Sequence, residues 1–104
     1  MEFEEFIRTA WAEHADQPDD VAERLALSLD RVELPAHVAP FAGIVTHLFG
    51  EHLARYDDGV ELLESMRRLP ACHGQAEALG IVSRSVAAIR GAVQATSGNN
   101  TAKR

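Results

Sequence analysis

Apolar residues recur along this chain at helical spacing, in blocks separated by proline, glycine and acidic residues. Phe3, Phe6, Ile7, Ala10, Trp11 and His14 form one stripe from about Glu2 to Gln17, with Glu4, Glu5, Arg8 and Glu13 off it. Pro18 breaks this helix and opens a second, whose stripe is Val21, Leu25, Ser28, Leu29 and Val32. Pro35 is expected to stop helix two and Pro40 to begin helix three. That third block, to about Tyr56, presents Phe41, Ile44, Val45, Leu48, His52 and Tyr56, and Phe49 and Leu53 widen its apolar arc. So wide an arc predicts a central helix. Asp57 or Asp58 then caps a fourth helix carrying Val60, Leu63, Met66 and Leu69, which Pro70 and Gly74 end. A fifth, from about Gln75 to Ala95, carries Leu79, Val82, Val86, Ile89 and Val93. No segment shows the period of two that a strand needs. The expected fold is therefore all-α: about five helices in antiparallel hairpins, in one domain over residues 1–95. The polar residues 96–104 are expected to be a disordered tail.

The chain also repeats itself. Leu34-Pro35-Ala36-His37 recurs as Leu69-Pro70-Ala71-Cys72-His73, and Gly43-Ile44-Val45-Thr46 as Gly80-Ile81-Val82-Ser83. Such a period suggests stacked helical hairpins: helices one and two, then three and four, with helix five opening a third or capping the stack. Within this pattern Leu48-Phe49-Gly50, Tyr56 and Pro70 resemble a degenerate tetratricopeptide repeat, over about Pro40 to Pro70. Phe49 separates the leucine from the glycine, and the small residue expected in the second helix is replaced by bulkier ones. The resemblance implies helix-turn-helix units with a groove for a peptide or protein, and no enzyme activity.

Composition narrows the function. With 104 residues, 46% apolar and 25% charged, the chain is an ordinary soluble domain, and its net charge of −6 disfavours nucleic acid and anionic membrane surfaces as partners. Cys72 is the single cysteine, so no intramolecular disulfide forms. The acidic start and the lack of a long apolar run point to the cytoplasm.

The leading expectation is a non-catalytic protein-interaction module. Trp11, Phe49, Leu53, Arg55 and Tyr56 are its contact residues, without a cofactor. Its partner is a protein or peptide with a basic or apolar surface, or a second copy of the chain. The rival is a metal-binding or enzymatic helical bundle built on His47, Glu51 and His52. His47 and Glu51, four apart, share a helix face, whereas His52 is turned about 100° from Glu51 on an α-helix. Zinc needs three or four ligands. His14, His37 and His73 are the remaining histidines, and their spacing joins them to nothing. A third reading is an inhibitor or immunity-type protein with one dedicated partner. Cys72 beside His73 reads as an ordinary turn cysteine, and the pairs Asp19-Asp20 and Asp57-Asp58 as helix-start residues.

Overall fold

The computed structural model describes the backbone of residues 2–102 and side chains of residues 2–94. Within them the chain forms five α-helices and no strand. Helix α1 spans Phe3–Glu13 and buries Phe6, Ile7 and Ala10, while Glu4 and Glu5 occupy its first turn, where the helix dipole favours negative charge. Helix α2, Pro18–Leu27, starts with proline in its first turn and buries Val21, Ala22 and Leu25. The guanidinium of Arg24 bonds to Glu13 and Asp20, tying α1 to α2, and these bonds raise its pKa above the ordinary arginine value. Helix α2 ends earlier than its stripe suggests. A single 3₁₀ turn, Leu29–Arg31, redirects the chain and still brings Val32 into the core.

Helix α3, Pro35–Val45, begins five residues before Pro40, where the sequence placed its start. Leu34 is extended (φ −118°, ψ 151°), as a residue before proline must be, and Pro35 supplies the first helical turn. Pro40 is carried inside the helix. His37 completes the start: the backbone N–H groups of Glu33 and Leu34 donate to its Nδ1 at 3.2 and 3.3 Å, and its ring stacks on Phe3. Val38, Phe41, Ala42, Ile44 and Val45 are buried, so α3 is the central helix that its apolar arc predicted.

At Thr46 the winding changes. Residues Thr46–His52 form a π-helix, and Leu48 and Phe49 are buried within it. It closes with Leu53 N–H on the Leu48 carbonyl (2.9 Å) and Arg55 N–H on the Phe49 carbonyl (2.8 Å), around Ala54 at φ +52°. Helix α4, Tyr56–Met66, follows, with Arg55 Nε donating to Asp58 at 2.9 Å. Asp57 and Asp58 lie in its first turn rather than capping it.

The second Leu-Pro step acts like the first. Leu69 is extended (ψ 146°) and Pro70–Cys72 make a 3₁₀ turn, but Gly74 at φ +70° then bends the chain before α5, Ala76–Ala102. Between the repeated blocks the spacing grows by two residues, Leu34 to Gly43 against Leu69 to Gly80, and Cys72 in the 3₁₀ turn is one of the two. Helix α5 includes residues 96–102 of the stretch expected to lack structure. Residues 103 and 104 of the expected tail lie outside the described residues.

Both sequential and alternate helices pack together. Helix α1 lies on α2 and α3, the π segment touches α2, α4 and α5, and α5 lies along α3 and α4. The result is a slab of 49 × 33 × 16 Å. Among the described residues no polar or charged side chain is buried, and no helix is long and apolar enough to cross a membrane.

Candidate metal centre

Three of the five histidines meet at one place. His14 ends α1, and His47 and His52 stand at the two ends of the π segment. A ligand atom from each lies within 4.8 Å of the other two. The Nε2 atoms of His47 and His52 are 3.0 Å apart, and the His14 ring centroid is 5.1 Å from that of His47 and 4.7 Å from that of His52.

The π-helix makes this convergence. On an α-helix residues five apart point about 140° away from one another. A π-helix, with roughly 4.4 residues per turn, reduces that offset to about 50°. His52 therefore lines up above His47, where the α-helical expectation turned it aside. His14 reaches the pair because α1 packs on α3 and the His14 ring at its end meets both His47 and His52.

Hydrogen bonds fix two of the three tautomers. His14 Nδ1 bonds to the Trp11 carbonyl, which can only accept, so Nδ1 carries the proton and Nε2 keeps a lone pair. The same bond satisfies one of the carbonyls that the end of α1 leaves without a helical partner. His47 Nδ1 donates to the Glu51 carboxylate, again leaving the lone pair on Nε2. His52 Nε2 then donates to His47 Nε2, placing one proton between two nitrogens. His14 and His47 are half-buried and His52 is exposed. Trp11 borders the group, its ring 5.1 Å from His47 and 5.2 Å from His14.

This geometry suits a metal. Zinc holds imidazole nitrogens at about 2.0–2.1 Å, which in a tetrahedron sets them about 3.3 Å apart. The His47–His52 pair is already close to that separation. The third ligand atom lies within 4.8 Å, and rotation of its imidazole about the soft outer torsion is the movement that would be needed to close it. Glu51 on His47 Nδ1 is the carboxylate–histidine arrangement that orients imidazole ligands.

The other expected site residues are distributed differently. Trp11, 39% exposed, belongs with the histidines. Phe49 is 2% exposed and is a core residue, correcting its assignment to a contact surface. It lies within the wide arc of the central helix, and α4 and α5 close over it through Gly59 and Ile89. Leu53 and Tyr56 are half-buried against the core. Arg55 sits over the Phe49 ring and pairs with Asp58 and Asp19. His37 serves the start of α3, and His73 is exposed after the second 3₁₀ turn. Cys72 is buried, and its desolvation raises the thiol pKa, with Arg67 partly opposing.

No protein-family model, no curated protein and no solved structure matches the chain.

Proposed function

We propose that this chain is a small helical domain that binds a divalent transition metal of the zinc type through His14, His47 and His52. The convergence of three imidazoles, with the His47 and His52 Nε2 atoms 3.0 Å apart, carries the reading. Imidazole donors suit zinc, copper, nickel and iron, and the Glu51–His47 hydrogen bond presets one ligand's orientation. A bound ion would replace the proton between His47 and His52 and join the end of α1 to the end of the central helix. A ligand that binds only the native state also stabilises it.

Calorimetric titration of chelator-stripped protein with zinc tests this. One ion per chain is expected, with binding lost in His14→Ala and His47→Ala. No saturable binding, or binding unchanged in both variants, refutes it. A packing cluster of four aromatic rings would give that negative result.

A second reading, a protein-interaction module, is supported by the order of packing. Helices α1–α2, α3–α4 and α4–α5 pack in sequence and α1–α3 and α3–α5 in alternation, as in stacked hairpins, and Leu27 is left 76% exposed. On this reading the partner offers a basic or apolar surface. A lysate protein retained by wild type and released by a folded Leu27→Asp variant would support it. Equal retention by both would count against Leu27 as the contact.

A further inference from the structure

We infer that the metal site holds its ion with three protein ligands and keeps a fourth position for a small exogenous donor, either water or a monodentate anion. This rests on the metal-binding reading and deepens it. Zinc is four-coordinate in nearly all protein sites: structural sites fill all four positions from the chain, whereas catalytic sites leave one for water or substrate. Here, among the described residues, the group that can close on an ion consists of His14, His47 and His52.

The acidic side chains nearest in sequence do not join the converging group. Glu51 holds His47 Nδ1, on the edge of the ring away from Nε2, so its carboxylate orients the ligand without reaching the ion. Glu13 is held by the Arg24 guanidinium. Asp16, two residues past His14, is exposed and is not a member of the converging group.

Access and lining agree with an open position. His52 is exposed, so solvent reaches the cluster from its side. Trp11 borders the other two rings, 5.2 Å from His14 and 5.1 Å from His47. A donor entering there exchanges with metal-bound water: one metal–oxygen bond breaks, one metal–anion bond forms, and the water leaves. The ligand class is a small monodentate anion such as azide, cyanate or a carboxylate. With no anion present, the water itself is acidified by the ion, towards hydroxide near neutral pH.

Cobalt(II), a spectroscopic substitute for zinc, makes the test. The wild-type chain is loaded with one equivalent and its visible ligand-field bands are followed while sodium azide is added, with size-exclusion chromatography run in parallel. The expected result is bands typical of low coordination number that shift saturably with azide in a monomer. The Asp16→Ala variant should respond in the same way, and His47→Ala should show neither bands nor response. Bands that azide does not move mean that protein donors fill all four positions, and overturn this inference while leaving metal binding intact. The same holds for bands unmoved in a metal-dependent dimer, or lost with Asp16. A wild-type chain without ligand-field bands overturns the metal-binding reading and this inference together.

Discussion

His47 and His52 are separated by five positions, yet their Nε2 atoms are 3.0 Å apart. An α-helix cannot bring two such side chains together, because five steps leave them on different faces. The π segment Thr46–His52 does so, at the point where α1 delivers His14. π-Bulges recur at functional sites, where a local change of winding re-aims a side chain. Here it turns a surface histidine and a half-buried one into a pair.

Trp11 is the single tryptophan, and its ring lies 5.1 Å from His47, so its fluorescence reports on the cluster alone. Addition of cobalt or nickel is expected to quench it saturably at one equivalent. His52→Ala should weaken the response by more than about 100-fold, since even outer-shell losses cost 10–100-fold. Quenching that rises linearly without saturation would indicate collisions instead.

Glu51 holds His47 in one tautomer, and Glu51→Gln keeps the shape but removes the charge. Metal affinity is expected to fall about 10–100-fold at constant stoichiometry. Competition against a chelator of known affinity measures it, and an unchanged affinity would show that the carboxylate is not orienting the ligand.

Ala54 ends the π segment at φ +52°, the one non-glycine residue at positive φ among those described. The left-handed region costs a residue with a Cβ about 1–2 kcal/mol. Glycine's greater freedom in the unfolded chain takes back about 0.5–1 kcal/mol. Ala54→Gly is therefore expected to stabilise the fold, by up to about 1.5 kcal/mol, as an increased urea midpoint at constant slope.

Gly59 is where α4 crosses the π segment. A Cβ there would lie 2.8 Å from Phe49 Cβ and 3.0 Å from Ile89 Cδ1. The first contact cannot be relieved by rotating a flexible side chain. Gly59→Ala should gain about 1 kcal/mol of helix propensity. It should lose about 1–3 kcal/mol to overpacking, for a net destabilisation measurable in urea. A stabilised variant would mean that α4 shifts freely on its neighbours.

The Cys72 thiol is buried and its pKa is raised, chiefly by desolvation. The folded state thus keeps the thiol proton to higher pH than the unfolded chain. The associated stability is complete below the ordinary thiol pKa and declines as pH rises through it. Wild type should lose stability relative to Cys72→Ala as pH increases from about 8 to 10. A thiol reagent at neutral pH should label Cys72 only as the protein unfolds. Rapid labelling of the native protein would show that the thiol is accessible.

The helices and their order were legible from the chain. The stripes Phe6-Ile7-Ala10, Val21-Leu25 and Val82-Val86-Ile89 are the buried faces of α1, α2 and α5, because a helix turns in register with its apolar period. The wide arc around Phe41 and Ile44 marks the central helix. Proline positions were harder to read. Pro35 and Pro40 can each open a helix, and local sequence does not choose between them. In the fold Pro35 opens α3, beside His37, whose ring accepts from the preceding backbone and stacks on Phe3 from α1.

The candidate site was visible only in part. Four-residue spacing, a local property of any helix, joined His47 to Glu51. Phe49 and Leu53, lying to the side of the α-helical stripe, read as a widened apolar arc and as contact residues, not as a change of winding. Adding His52 required the π-helix, and adding His14 required α1 to end against it. The sequence by itself determined an all-helical chain, its segment order and the chemistry available in its side chains, because these follow from periodicity and composition. Only the tertiary structure decided which histidines meet and that Phe49 is core. Both depend on how α1, α4 and α5 close around the central helix, and contacts between residues far apart in sequence leave no period to read.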